Sequence, residues 1–226
     1  MNIQWIQEWL TDQLFPDGNA CHLCGRGLDA AGILCHRCLE ALSRCRYSPT
    51  TAALSARRRP LSSCITAYTH RAEARELVHR LKYASDPAVA QALGEGMGAV
   101  LMPCPVRPRR IDMIVPVPLH LSRLETRGYN QALLLAQAVS RHTGVAPVQE
   151  ALIRLIATDT QITRDREARL LAMQNAFAVT SPALVRGKTI LLVDDVLTTG
   201  ATAMSCAATL MEAGARRVTL LTACRA

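Results

Sequence analysis

The sequence predicts an α/β protein: a parallel sheet flanked by helices, with a small four-cysteine metal module ahead of it. Apolar runs at residues 111–117, 190–193 and 217–223 have the length and composition of strands that are buried on both faces. Helical stretches separate these runs, and that alternation is typical of βαβ units. We therefore expect two domains, a metal module at 1–47 and a sheet domain at 61–226.

Length, charge and cysteine content narrow the class of protein. The 226 residues are 50% hydrophobic but only 4% aromatic, which predicts an aliphatic core. A net charge of +8 favours an anionic ligand, whether a diphosphate, a nucleotide or a nucleic acid. The sequence has neither a long apolar run nor a signal-peptide pattern, so we expect a cytoplasmic location and no membrane insertion. Nine cysteines, an odd number, fit a reducing compartment better than a disulfide framework.

Four of the cysteines form two CxxC pairs separated by ten residues, and these are Cys21, Cys24, Cys35 and Cys38. Two such pairs can place four thiolates tetrahedrally around Zn²⁺. Four sulfurs leave no open coordination position, so the zinc is expected to be structural. The alternative is a group of reduced thiols without a metal. The other five cysteines have no ligand spacing and are expected to be either small buried side chains or incidental thiols.

The remaining elements follow from periodicity and from breaker residues. The pattern predicts a strand at 64–68 and an extended start to the segment 153–177, which becomes helical from about Asp165. Glycines are expected to weaken the helix at 88–101. Residues 48–60 are predicted to form a linker. Its run of arginines could contact nucleic acid, but a solvated segment is the favoured interpretation. The predicted helices lie at 2–15, 73–83, 88–101, 132–142 and 201–213.

The stretch at 189–202, TILLVDDVLTTGAT, carries the strongest functional signal. A buried strand ends in Asp194 and Asp195, and carboxylates are good acceptors for sugar hydroxyls. A turn with Gly200 follows and opens a helix, whose free amides favour a phosphate. Neighbouring strand residues point to opposite faces, so the two acids form one clamp only if the strand is already turning. The alternative is a surface turn with capping Asp and Thr residues.

A second candidate segment follows the strand at 111–117. Arg123 and Arg127 come after the strand end, in what we expect to be a loop, and guanidinium groups pair well with phosphate oxygens. The alternative is a basic loop without a ligand. Ligands of parallel α/β sheets bind beyond the carboxyl ends of the strands, so this segment and the acidic pair are expected to share one crevice.

VDDVLTTGAT resembles the ribose-5-phosphate loop of type I phosphoribosyltransferases, enzymes that bind phosphoribosyl diphosphate (PRPP). From Cys21 onward the chain resembles the ComF family. The resemblance rests on the four-cysteine finger, LKY at 81–83, VPVPLHLSRLETRGYNQ at 115–131 and Ala176-Phe177. It rests also on the spacing of Arg154, Thr158 and Gln161, in a hood segment that covers the ligand in the family.

The resemblance implies a type I phosphoribosyltransferase-like sheet and a set of site residues. The catalytic residues would be Asp194, Asp195, Arg123 and Arg127, with Mg²⁺ bound together with PRPP. The hood residues would be Arg154, Thr158 and Gln161. The PRPP-binding residues would be Val193, Asp194, Asp195, Val196, Leu197, Thr198, Thr199, Gly200, Ala201, Thr202, Pro118, Leu119, His120 and Lys82.

The resemblance also implies a role in DNA uptake and natural transformation, acting on internalised single-stranded DNA together with a helicase-like competence protein. The reaction would be phosphoribosyl transfer to an acceptor that the sequence leaves open. Two alternatives are a non-catalytic single-stranded DNA-binding competence factor, which would use the basic face and the zinc finger, and a PRPP-sensing regulator. No set of aromatic residues suited to base stacking is recognisable in the sequence.

Overall fold

The computed structural model describes residues 20–28, 32–47, 60–155 and 176–226. The predicted helices at 2–15 and from Asp165, the linker at 48–59, and the hood residues Thr158 and Gln161 lie outside the described residues.

The described strands are β1 (Ser63–Thr69), β2 (Met113–Pro116), β3 (Leu152–Arg154), β4 (Phe177–Val179), β5 (Thr189–Leu197) and β6 (Arg217–Arg225). The described helices are α1 (His36–Arg44), α2 (Ala72–Tyr83), α3 (Val89–Leu101), α4 (Leu121–Arg127), α5 (Gln131–Thr143), α6 (Pro182–Val185) and α7 (Ala201–Glu212).

The main sheet has four strands in the order β1-β6-β5-β2, and every pairing within it is parallel. This confirms the predicted α/β class. Because all four strands run the same way, their carboxyl ends meet at one edge of the sheet and their amino ends at the other. The two edges therefore offer two separate surfaces for binding.

The apolar run at the start of β5 is explained by burial on both faces. Leu191 and Val193 lie in the hydrophobic cluster that packs against α2, α3 and α5. Ile190 and Leu192 lie in the cluster on the other face, which packs against α7. Alternate residues of a strand point to opposite faces, so a strand between two helix layers needs apolar residues at every position.

The structure differs from the sequence prediction in several places, and helices α1 and α6 were also not predicted. β5 continues through the acidic pair to Leu197, four residues beyond the apolar run. The expected loop with the two arginines is helix α4, which Gly128 ends in the left-handed conformation. A separate antiparallel pair, β3 with β4, was not predicted, because strands of three residues are too short for a periodicity signal.

The glycines of α3 mark close packing. A Cβ on Gly94 would collide with Ala138 of α5, and one on Gly96 would collide with the ring of Tyr68. The helix forms as predicted, and its glycines allow α5 and β1 to approach it closely. Their low helix propensity is offset by this contact.

The metal module (residues 1–47) is joined to the sheet domain by backbone and core contacts in its described part. Tyr47 N–H donates to Ala67 O and Thr69 N–H donates to Cys45 O, both at 2.8 Å, so this segment extends along β1. Cys38 and Leu42 lie in the same hydrophobic cluster as residues of α2 and α3. The helices described here are all too short or too polar to cross a membrane.

Replacing Gly94 by Ala tests the packing argument, because helix propensity and close packing predict opposite changes in the free energy of unfolding. Helix propensity alone would stabilise the variant by about 1 kcal/mol. The collision with Ala138 is expected to outweigh this and to lower the free energy of unfolding by about 1–3 kcal/mol, measured by denaturant titration. A variant as stable as the wild type, or more stable, would contradict the close contact between α3 and α5.

Candidate functional site

A cavity of about 410 Å³ opens at the carboxyl ends of β1, β2 and β5, and we call it the carboxyl-end cavity. The predicted crevice therefore exists, and the two sequence segments expected to meet in it do so. The predicted site residues that line it are Lys82, Pro118, Leu119, Arg123, Arg127, Arg154, Asp194, Asp195, Val196, Thr198 and Thr202.

The other described residues of the predicted set lie around the cavity without lining it. Val193 is fully buried in the core, and Leu197 packs against the cluster on the α7 face. His120 caps α4, where its Nδ1 accepts the Ser122 N–H at 3.3 Å. Thr199 and Gly200 form the turn into α7, which begins at Ala201.

The turn from β5 into α7 depends on Gly200. This residue has φ 78°, in the left-handed region that residues with a Cβ rarely adopt. It is the N-terminal cap of a twelve-residue helix and has no side chain with which to cap it. The first amide of α7, the Ala201 N–H, donates to Thr199 Oγ1 at 3.4 Å. The amides of Thr202 and Ala203 follow in the first turn, where a helix has no carbonyl of its own to accept them. The turn therefore provides amide donors beside the acidic pair.

Both carboxylates of the acidic pair reach the cavity. The alternation of β5 shifts at this point, because Val196 packs with the same cluster as Val193 instead of the opposite one. The backbone N–H of Asp195 donates to Asp194 Oδ1 at 2.9 Å, which fixes the Asp194 side chain relative to the backbone of the next residue. The alternation of β5 is thus broken where the acids lie, so both acids can line one cavity although the strand continues to Leu197.

Asp195 is paired with a lysine from a distant part of the chain. Lys82 Nζ lies 3.0 Å from Asp195 Oδ2, and both side chains are largely buried, with 22% and 14% exposed. Lys82 is near the end of α2, so this ion pair ties α2 to β5. His70, just beyond β1, lines the same cavity, and burial together with Lys82 and Arg75 lowers its pKa.

Asp194 lacks an ion-pair partner as close as that of Asp195 among the contacts of the described residues. Burial, together with the charge of Asp195, raises the pKa of Asp194 from 3.8 to about 7. Lys82 and Arg154 act in the opposite direction but do not offset the burial. Near neutral pH this carboxyl group is therefore close to its titration midpoint.

Three arginines face the carboxylates across the cavity. Arg127 is held by Gln131, whose Oε1 accepts its Nη1–H at 3.1 Å, and its guanidinium lies 5.4 Å above the ring of Tyr83. Arg154 lies 5.6 Å above the ring of Phe177, and burial together with nearby Arg123 lowers its pKa. The cavity thus has an acidic wall on β5 and a basic wall on α4 and β3.

Sequence reasoning missed several lining residues, which are His70, Tyr83, Val117, Asn130, Gln131, Ala132 and Ala226. Asn130 and Gln131 hold the site together, since Asn130 Nδ2–H donates to Val117 O at 3.1 Å and Gln131 binds Arg127. Tyr129 O–H donates to Leu81 O at 2.9 Å, which joins this segment to α2. The position of His70 directly after a strand was the available signal, because strand ends line such crevices.

The second candidate site is the cysteine cluster of the metal module. The sulfur atoms of Cys21, Cys24, Cys35 and Cys38 all lie within 4.8 Å of one another, a spacing that can hold a metal ion. Burial acts to raise the pKa of Cys21, but backbone hydrogen bonds from Cys35, Cys24 and Leu23 have the larger combined effect. The pKa of this thiol is lowered from 9.0 to about 6. Burial and hydrogen bonds with the other thiols raise the pKa of Cys38. The predicted grouping is therefore confirmed, and one of its sulfurs is ready to act as a thiolate.

The histidine within the first CxxC pair contacts the sheet domain instead of the sulfurs. His22 Nδ1 lies 2.9 Å from Asp86 Oδ2, just beyond the end of α2. Arg80 of α2 donates to Leu23 O at 3.4 Å. The metal module thus braces the end of the helix that carries Lys82.

Comparison with known proteins agrees with this architecture. The phosphoribosyl transferase domain family matches residues 130–226. The DNA utilization protein YhgH of Escherichia coli (strain K12) is 31% identical over 218 residues, covering 91% of this chain and 89% of that protein. The competence protein ComFC of Bacillus subtilis (strain 168) is 31% identical over 197 residues, covering 87% of this chain and 73% of that protein.

A similar solved structure is the glutamine PRPP amidotransferase from B. subtilis, complexed with ADP and GMP. The match has a TM-score of 0.45 and 20% identity, and it covers 65% of this chain and 30% of that one.

The parallel sheet, the cavity at its carboxyl ends and the matching domain define a phosphoribosyltransferase-fold protein. Within that class, the chain belongs to the ComF family.

Replacing Asp194 by Asn removes a carboxyl group whose pKa the fold raises from 3.8 to about 7. Folding favours the protonated form of such a group, so its contribution to stability is complete below the unfolded pKa and is lost as the pH rises through about 7. The variant is expected to exceed the wild type in free energy of unfolding by about 1–3 kcal/mol above pH 7. Denaturant titrations across this pH range measure the gap, which should close near pH 4.

Asp112→Asn serves as a control, because this substitution is expected to change the stability in the opposite direction. Asp112 accepts the Thr189 N–H at 2.8 Å and is paired with Arg110, and these contacts lower its pKa. Its stabilising effect is present above the unfolded pKa and is lost as the pH falls. This variant should be less stable than the wild type at pH 8. The same sign for both variants would contradict the assigned electrostatics.

Proposed function

We propose that the carboxyl-end cavity binds PRPP and that the protein acts as a PRPP-binding phosphoribosyltransferase-like protein in DNA uptake. One observation carries the proposal: two carboxylates and three arginines face each other across a cavity beside the Gly200 turn into α7. PRPP has two ribose hydroxyls, a 5′-phosphate and a diphosphate, and the cavity offers a suitable group for each.

The parts of PRPP are assigned by chemistry. Asp194 and Asp195 accept hydrogen bonds from the ribose 2′ and 3′ hydroxyls, for which carboxylates are strong acceptors. The 5′-phosphate accepts hydrogen bonds from the hydroxyls of Thr198 and Thr202 and from the amides at the start of α7. Arg123 and Arg127 bind the diphosphate on the opposite wall.

If transfer occurs, the bond between the ribose anomeric carbon and the diphosphate oxygen breaks and the diphosphate leaves with the electron pair. An acceptor heteroatom forms the new bond and loses a proton. Arg123 and Arg127 neutralise the charge that develops on the diphosphate, which is how positioned cations lower such barriers. Mg²⁺, held by diphosphate and ribose oxygens, would supply further charge neutralisation when bound.

A role in DNA uptake is supported by the relatives. One is named a DNA utilization protein, and two are named competence proteins, ComFC of B. subtilis and competence protein F of Haemophilus influenzae. YhgH and ComFC match 91% and 87% of this chain. We propose the same cellular role here, with single-stranded DNA and a helicase-like competence protein as partners in the cytoplasm.

The metal of the cysteine cluster is proposed to be Zn²⁺ in a structural role. Four sulfur donors are the ligand set that Zn²⁺ prefers, and they leave no position for a substrate. The ion would hold together residues 21–38 and, through His22 and Arg80, the end of α2.

Cys38→Ser tests the structural zinc. We expect the purified wild type to contain one zinc ion per chain. The variant should lose the ion, and its Tm should fall by at least about 5 °C, because metal binding contributes directly to folding. Elemental analysis and calorimetry measure the two effects. Cys104→Ser is the matched control, since Cys104 is equally buried but lies outside the cluster. If both variants keep the metal, or if the wild type lacks it, the assignment is wrong.

The PRPP site is tested by calorimetric titration with PRPP and Mg²⁺. The double variant Asp194→Asn with Asp195→Asn is expected to bind at least about 100-fold more weakly, since two charge-assisted hydrogen bonds are lost. Asp112→Asn, a carboxylate at the other end of the sheet, should bind as the wild type does. Unchanged affinity in the double variant would reject the site. Release of diphosphate with any acceptor would distinguish transfer from PRPP sensing.

A further inference from the structure

A second basic surface lies at the opposite edge of the sheet, where the strands begin. A cleft of about 630 Å³ is formed by the segment before β2, the first residues of β5 and β6, and the end of α7. We call it the arginine cleft, because five of its lining residues are arginines: Arg107, Arg109, Arg110, Arg216 and Arg217. Among the described residues that line the arginine cleft there is no carboxylate, unlike in the carboxyl-end cavity.

The arginines come from two separate segments that the fold brings together. Residues 107–110 follow α3 and lead into β2, while Arg217 is the first residue of β6 and Arg216 directly precedes it. Arg216 N–H and Arg217 N–H both contact Lys188 O, which fixes the start of β6 beside the start of β5. Four of the five arginines are exposed, and Arg107 is half-buried. Like charges gathered in this way repel one another unless an anion is bound.

One of the arginines, Arg110, is held by an ion pair with Asp112. Arg110 Nε donates to Asp112 Oδ1 at 2.8 Å, while the other carboxylate oxygen of Asp112 accepts the Thr189 N–H at 2.8 Å. The Arg110 side chain nevertheless remains 87% exposed, so its guanidinium still faces solvent. Asp112 therefore positions a cation at the cleft without covering it.

The remaining lining residues show what kind of anion fits. The cleft has apolar walls, formed by Pro60, Pro108, Met211 and Val218, and in the described part of the chain no aromatic ring lines it. A strand of phosphodiesters presents regularly spaced charges for guanidinium groups and apolar sugar faces for such walls. Without aromatic residues there is no stacking of bases, so binding would depend little on sequence. A concave surface also fits an extended strand better than a flat bilayer.

We propose that the arginine cleft binds the phosphate backbone of single-stranded DNA, at a site separate from the carboxyl-end cavity. The two sites lie at opposite ends of the same strands. β5 runs through nine residues from one to the other, about 26 Å at roughly 3.3 Å per residue. The protein can therefore hold DNA at one edge of the sheet and a small phosphorylated ligand at the other.

The test compares two triple variants that lose the same charge. Arg109→Gln, Arg216→Gln and Arg217→Gln change the cleft. Arg26→Gln, Arg37→Gln and Arg44→Gln change the metal module, which is the competing basic surface. Affinity for a fluorescent single-stranded oligothymidylate is measured by anisotropy over a range of salt concentrations.

The cleft variant is expected to bind at least about tenfold more weakly at moderate salt. The slope of log K against log salt should become shallower by about 2, at roughly 0.7 per phosphate contact. The metal-module variant should keep the wild-type slope. Equal losses in both variants, a loss only in the metal-module variant, or no DNA binding by the wild type would overturn the proposal. Displacement of the oligonucleotide by equimolar tripolyphosphate would also overturn it, because a small polyanion would then be the better ligand.

PRPP titration of the cleft variant separates this proposal from the preceding one. The variant should bind PRPP with wild-type affinity and unfold at the wild-type temperature. A loss of PRPP binding together with DNA binding would show that the triple substitution had damaged the fold. In that case the single variants Arg109→Gln and Arg217→Gln test whether the cleft binds DNA. Each should make the salt slope shallower by about 0.7, and an unchanged slope in both would reject the site.

Discussion

Two adjacent carboxylates at the end of a buried strand are the constraint around which this structure is arranged. Charges placed side by side in a low-dielectric interior repel each other strongly, so cations must be brought to them. Lys82 comes from α2, Arg123 and Arg127 from α4, and Arg154 from β3. The ion pair between Lys82 and Asp195 satisfies one carboxylate, while the raised pKa of Asp194 shows that the other is not fully compensated. Binding sites commonly retain such unfavourable electrostatics for their ligands.

The position of Lys82 depends in turn on contacts far from the acidic pair. α2 is held at its end by Tyr129, whose hydroxyl binds Leu81 O, and by the metal module through His22 and Arg80. α3, which packs against both α2 and α5, depends on glycines that let its neighbours approach. A cation at the cavity is therefore supported by a continuous set of packed elements, and the metal module is one of them.

Basic side chains line a site at each of the two edges of the sheet, and the two sites differ in the groups that surround these side chains. At the carboxyl ends they face carboxylates, an arrangement suited to a small ligand with both hydroxyls and phosphates. At the amino ends the cleft has arginines and apolar walls, and the neighbouring carboxylate of Asp112 is paired with Arg110, an arrangement suited to a polyanion. Parallel strands make this separation possible, since each edge of the sheet gathers loops of a single kind.

The sequence by itself determined the fold class, the cysteine cluster and the convergence of two motifs in one crevice, because each is encoded by local patterns: buried apolar runs, CxxC spacing, and polar residues directly after strands. It misjudged the segment with Arg123 and Arg127, whose short helix has no buried face and hence no periodicity. Only the tertiary structure decided that Lys82 pairs with Asp195 and that residues 107–110 meet Arg216 and Arg217. These contacts join positions more than a hundred residues apart. No local pattern records such a contact, since it exists only once the sheet order β1-β6-β5-β2 is formed.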